Sequence, residues 1–155
     1  MTNDLIINKT LFGVSAVIFD ESDRVLMLLR SGEGESYKSG WEFVKGGLKE
    51  GESYLDAAIR EIREESHLND IEFVAELEKK YTVNVSYRNK NYDWVEKKSL
   101  VFILQRGDVS LVIEHSEYKW MNLSQAIDVC WVEYGAEIIK DAYDALKKWQ
   151  SANKE

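Results

Sequence analysis

Gly46-Gly47-Leu48-Lys49-Glu50-Gly51-Glu52-Ser53-Tyr54-Leu55-Asp56-Ala57-Ala58-Ile59-Arg60-Glu61-Ile62-Arg63-Glu64-Glu65-Ser66-His67-Leu68 is the stretch whose reading decides the fold. From residue 54 to residue 65 the apolar positions Leu55, Ala58, Ile59 and Ile62 fall on one stripe at helical spacing, and Ser53 stands where it caps the first turn. A helix of three turns is expected. On it Glu61, Glu64 and Glu65 occupy i, i+3 and i+4, one face of a turn, while Ile62 faces the core. Carboxylates about 6 Å apart repel by roughly 3 kcal/mol per pair at an effective dielectric near 20, so a positive group belongs among them. A hard divalent cation held by oxygen ligands meets that need, although a solvated acidic face is the commoner use of such runs. Ahead of the helix, Gly46, Gly47 and Gly51 punctuate a loop whose backbone can approach a ligand, and the helix N-terminus favours anions.

Gly46, Glu52, Arg60, Glu61, Ile62, Glu64, Glu65 and Leu68 stand in the register of the Nudix box, and the chain resembles that hydrolase family; only His67 departs, where glycine is expected. The resemblance implies an α/β/α sandwich around a mixed, largely antiparallel sheet. It also implies divalent-metal-dependent cleavage of a phosphoanhydride, with Mg2+ as cofactor and Mn2+ as a substitute. On the matching positions, Glu61, Glu64 and Glu65 bind or serve the metals, the Gly46 carbonyl is a further ligand, and Glu52 and Arg60 pair to hold the loop against the helix. His67 lies beyond the ligands, at a helix exit that favours a left-handed backbone.

Outward from the box, the residues support the same class. Residues 14–19 and 25–29 are apolar runs joined by Asp20-Glu21-Ser22-Asp23, which predicts an antiparallel strand pair. Residues 31–40 read as a loop, and Trp41, Phe43 and Val44 as a short apolar segment. Strands are expected over residues 71–77, 81–87 and 94–104, with Arg88-Asn89-Lys90-Asn91 as a turn, and a short extended piece over 111–113. Helices are expected at about 124–134 and 136–149, with Gly135 between them. Strands, a central helix, more strands and terminal helices make an α+β fold with helices flanking a mostly antiparallel or mixed sheet, as one domain over residues 1–155. Periodicity does not order the strands.

Net charge is −8, which argues against a broad grip on duplex nucleic acid. Between Lys79 and Lys98, however, six basic residues face two acidic ones, a local excess of +4. The single Cys130 forms no internal disulfide, no secretory leader is evident, and no apolar run approaches the ~20 residues of a membrane span, so a cytoplasmic protein is expected, as monomer or homodimer.

Two further stretches bear on substrate. Trp41-Glu42-Phe43-Val44-Lys45-Gly46 is similar to the segment before the box in asymmetric dinucleoside tetraphosphate hydrolases, with Val44 in place of proline, while Gly47 is closer to RNA 5′-end pyrophosphohydrolases. Glu114-His115-Ser116-Glu117-Tyr118-Lys119-Trp120 resembles the place where that group carries a metal-site or water-activating glutamate. Glu117 is the candidate and Glu114 the fallback, with His115 read as a structural histidine. Lys45 is a candidate for phosphate, Tyr81 and Tyr87 (with Trp94) for base stacking, and Lys98 for distal phosphates. The expected partner is a small nucleotide, best a dinucleoside tetraphosphate split to NTP and NMP. A nucleoside triphosphate, the 5′ end of RNA, or a non-catalytic Nudix-like module are the alternatives. Glu61, Glu64 and Glu117 all remain possible general bases.

Overall fold

The computed structural model describes residues 3–30, 40–87, 91–112 and 114–153. Apolar runs with β-branched residues form the centre. Strand β2 (Thr10–Phe19) is buried along nearly its whole length and lies between partners on both sides. On one side it pairs in parallel with β7 (Trp94–Arg106), from Thr10↔Trp94 to Phe19↔Ile103. On the other it takes β1 (Ile6–Ile7), then β5 (Val44–Gly47), then the start of β3 (Val25–Arg30), all antiparallel. Strand β3 carries β4 (Gly40–Glu42) and β8 (His115–Met121), and β6 (Asp70–Asn84) closes the far edge against β7. The sheet is thus mixed and largely antiparallel, with β2–β7 its parallel pair.

Alternating side chains of the central strands feed two cores. Val14, Ala16, Ile18, Leu100 and Phe102 meet α1 (Tyr54–Ser66), which buries Ala57, Ala58 and Ile62. Val17, Phe19 and Val101 meet Ile138, Ile139, Ala142 and Leu146 of α3 (Gly135–Ala152), beside the short α2 (Leu123–Val129). A sheet with α1 on one face and α2 and α3 on the other is the expected α/β/α sandwich. No described helix is long and apolar enough to cross a membrane.

Several element boundaries differ from expectation. The two strands expected over 71–77 and 81–87 are one strand, β6, because register shifts against β7 at Phe73/Ala75 and Glu76/Lys80 absorb the irregular stretch. The described turn there is at Ser86 and Tyr87, and Arg88 to Lys90 lie outside the described residues, as do 31–39 of the expected loop. Leu111 and Val112 are not in a strand, and Ile113 is outside the described residues; the strand is instead β8, which opens at His115. Helix α2 stops at Val129 rather than near residue 134, since Cys130 bridges Trp41 and the Trp131 amide donates to the Trp41 carbonyl at 3.1 Å.

Candidate active site

Helix α1 begins where expected. Ser53 is extended (φ −78°, ψ 163°) and its Oγ accepts from the Asp56 amide at 3.0 Å. It ends at His67, which takes the left-handed conformation (φ 62°, ψ 17°) that glycine favours. The ring supplies compensation: His67 Nδ1 lies 2.6 Å from the Ser110 carbonyl, which accepts, so Nδ1 carries the hydrogen.

The loop is tied to the helix by Arg60. Its Nε and Nη2 donate to the two Glu52 oxygens at 2.7 and 2.9 Å, Nη2 also to the Gly47 carbonyl at 2.7 Å, and Nη1 to Glu61 at 2.7 Å and Glu64 at 2.9 Å. Glu52 additionally accepts from the Lys49 amide at 2.8 Å. The Arg60 hydrogen bonds hold the Glu52 carboxyl below its ordinary range against the cost of burial, and the same bonds, Glu52 foremost, raise Arg60.

Glu61 lies directly over Gly46: a Cβ there would sit 2.2 Å from the Glu61 carboxyl carbon. Burial, then the hydrogen bond and charge of Glu61, push Glu65 well above the usual carboxylate range. In this arrangement the Arg60 guanidinium stands between Glu61 and Glu64, and Glu65 lies against Glu61. Among the described residues no three His, Cys, Asp or Glu side chains form a ready-made metal cage. The donor set nonetheless fits a hard cation. It is all oxygen, two of its carboxylates lie against each other where a divalent ion would relieve their repulsion, and glycine at position 46 leaves the space in front of Glu61 that a Cβ would fill.

These carboxylates form one wall of an open cleft of about 380 Å³, lined by Glu61, Glu64, Glu65, Arg30, Lys45, Val112, Glu114 and His115. Lys45 and Arg30 bring positive charge to a cleft that four carboxylates also line, an arrangement able to hold cations and anions side by side. The glutamate that reaches the cleft from the residues before α2 is Glu114. Glu117 is exposed on β8 opposite Leu29 and does not line it, because a register shift between Leu29 and Arg30 carries only the start of β8 over the site. Of the two candidates, Glu114 lines the cleft and Glu117 does not.

The proposed substrate residues of β6 and β7 lie elsewhere. Tyr81 is buried in the α3 core, stacked on Tyr134 with ring centroids 4.6 Å apart, because alternation along β6 turns it to that face. Lys98 Nζ is 3.1 Å from Glu76, and Tyr87 and Trp94 are exposed away from the cleft. The basic segment is dispersed: Lys79 meets Glu137 at 3.8 Å and Lys97 donates to the Glu133 carbonyl at 3.1 Å.

Sequence reasoning missed Arg30, which follows an apolar strand without any local sign of function, and Glu42, a charge inside an apolar segment. Glu42 is fully buried and meets His115, Arg30, Trp131 and Lys45. An acidic residue at an otherwise core position was the available signal.

Residues 9–145 match the NUDIX domain family, a span that holds the box, β2 to β8, α1, α2 and the first part of α3. The chain belongs to the Nudix family. It is 26% identical over 148 residues to the RNA pyrophosphohydrolase of Pelagibacter ubique (strain HTCC1062), covering 88% of this chain and 90% of that one. In structure it is similar to a Nudix hydrolase from Listeria monocytogenes, with TM-score 0.73, 24% identity, and coverage of 88% and 94%. It is likewise similar to a Caenorhabditis elegans Ap4A hydrolase, with TM-score 0.68, 22% identity, and coverage of 92% and 98%. As a Nudix protein with pyrophosphohydrolase relatives, it is a hydrolase acting on phosphoanhydrides, and Nudix hydrolases generally use divalent metals.

Proposed function

We propose that this Nudix hydrolase uses magnesium, with manganese as a substitute, to cleave a nucleoside polyphosphate, and that a dinucleoside tetraphosphate is its preferred substrate. One observation supports the reading: Glu61, which lies over Gly46, and Glu65 share a cleft with Lys45 and Arg30, so a metal held by the carboxylates would adjoin phosphates held by the two cations. Bound there, a divalent ion would supply charge neutralisation for the phosphates and lower the pKa of a water. Gly46, Glu61, Glu64 and Glu65 would hold it. Lys45 and Arg30 orient the phosphate chain, Arg60 and Glu52 fix the carboxylate face, and Glu61, Glu64 or Glu114 takes the proton of the attacking water. Against a long RNA track stands the engagement of Lys79, Lys97 and Lys98 with local acceptors. A second reading, hydrolysis at the RNA 5′ end, is favoured by the similarity to RNA pyrophosphohydrolases over most of the chain.

Product analysis with magnesium over dinucleoside polyphosphates, nucleoside triphosphates and 5′-triphosphorylated RNA tests both. Release of ATP and AMP from diadenosine tetraphosphate at the highest kcat/KM is expected. A clear preference for RNA replaces the leading reading with the second, and no turnover of any substrate overturns the proposal.

A further inference from the structure

Glu42 ends β4 with no exposed surface, and its carboxylate is surrounded by donors from four parts of the fold. Oε2 accepts from His115 Nε2 at 2.9 Å and from Arg30 Nη1 at 3.3 Å. Oε1 accepts from Trp131 Nε1 at 3.0 Å and lies 3.8 Å from Lys45 Nζ. Three of these four neighbours, Arg30, Lys45 and His115, line the cleft that holds Glu61 and Glu65. The fourth reaches in from the turn between α2 and α3 and is itself clamped. Its ring covers Gly40 so closely that a Cβ there would sit 2.7 Å from it.

Sequestering a carboxylate costs several kcal/mol, and a well-packed apolar side chain would join β3, β4 and β8 at least as well. What an apolar residue cannot do is hold two cations in place. We infer that Glu42 is a positioning residue of the hydrolysis, one that gathers Arg30, Lys45 and His115 at the substrate side of the cleft and takes its own orientation from Trp131. Burial opposes its ionisation, but the His115 hydrogen bond and the charges of Lys45 and Arg30 outweigh that and keep the carboxyl below its usual range. An ionised Glu42 has no proton to give, so Nε2 of His115 carries the hydrogen of their bond. Its one negative charge sits between the positive charges of Arg30 and Lys45 and fixes where they stand on the cleft wall. The inference rests on the phosphoanhydride hydrolase reading and not on which nucleotide is cleaved.

Glu42→Gln keeps the volume and an acceptor for Trp131 but removes the charge. Two measurements on the full chain are expected to move in opposite directions. With magnesium and the best substrate of the panel, kcat falls by about 10- to 100-fold because the cations are no longer held in register. In metal-free protein, calorimetric titration with inorganic tripolyphosphate shows binding tightened by roughly threefold or more, because one negative charge beside Arg30 and Lys45 is gone. A structural defect would weaken both together, and that outcome, or an unchanged kcat, overturns the inference. Trp131→Phe keeps the ring over Gly40, loses only the Nε1 donor, and carries the test if Glu42→Gln does not fold; kcat is expected to drop several-fold with tripolyphosphate affinity unaltered, and wild-type kcat overturns the inference. If wild-type protein turns over no substrate, the hydrolase reading falls by itself, while the tripolyphosphate titration still decides whether Glu42 governs the cations.

Discussion

Gly46→Ala probes the site at its tightest point. The added Cβ would lie 2.2 Å from the Glu61 carboxyl carbon and 2.4 and 2.6 Å from its oxygens, where ordinary contact begins at 3.4 Å. The carboxylate must therefore retreat by roughly 1 Å or more, since backbone on β5, paired with Val14, yields less readily than a side chain. A displacement of about 1 Å at a reacting centre costs on the order of 100-fold in rate, or about 2.7 kcal/mol of barrier. Stability responds differently. Gly46 is not among the residues with positive φ, so alanine suits its backbone and gains about 0.4–1 kcal/mol through the unfolded chain. Straining the Arg60–Glu61 contact costs about 1 kcal/mol or less, as both side chains are partly exposed. The two nearly cancel. The expected result is a kcat/KM reduced about 100-fold with thermal unfolding within a few degrees of wild type. Retention of more than about half the wild-type kcat/KM would refute the reasoning, and so would a loss explained by unfolding.

Three other outcomes are expected. Glu65→Gln abolishes turnover. Because the folded Glu65 titrates above its ordinary 4.5, the stability owed to its protonation is present below that pH and lost as pH rises; without metal the variant is therefore at least as stable as wild type at pH 8, and magnesium stabilises it less. Calorimetry with and without EDTA checks this, and an equal magnesium shift in both proteins counts against the ligand role. Asp23 is bound by Lys147 and Gln150 of α3, and although burial opposes it, those hydrogen bonds and the Lys147 charge depress its pKa below 3.8. Its contribution is present above that pH and lost as pH falls through the depressed value, so acid unfolding curves of wild type and Asp23→Asn converge in strong acid and differ by about 1 kcal/mol or less near neutrality. His67→Gly relieves a left-handed residue but forfeits the Ser110 hydrogen bond, so stability changes by about 1 kcal/mol or less. A larger gain in chemical denaturation would mean the ring contributes nothing.

Much of the site was legible because its residues are neighbours along one helix. Ser53, Arg60, Glu61, Glu64 and Glu65 are placed by a 3.6-residue period alone, and the period was unbroken. What lies across the cleft depends on tertiary register. Glu114 and Glu117 are three residues apart, and the shift at Leu29/Arg30 decides which of them reaches the cleft. Helix α2 ran too long in prediction because Val129-Cys130-Trp131-Val132 continues an apolar pattern, and what stops it is capture by Trp41, distant in sequence. Strand β8 escaped notice since its interior is largely exposed and only His115 and Met121 are buried, so alternation is weak. Tyr81 and Lys98 were matched to substrate on residue type, while strand alternation packs Tyr81 in the α3 core, Glu76 pairs with Lys98, and neither lines the cleft.

The parallel pairing of β2 with β7 bears on how the chain assembles. Ten consecutive residues near the start find their parallel partners in the stretch that ends at Arg106, so loop closure over more than half of the chain precedes completion of the central ladder. During synthesis the box helix emerges complete long before β7 exists, and its apolar face of Ala57, Ala58 and Ile62 has no finished sheet to lie on. Fragments ending before Arg106 are therefore expected to remain unfolded even though they contain the whole box, and metal affinity should arise abruptly with the folded chain.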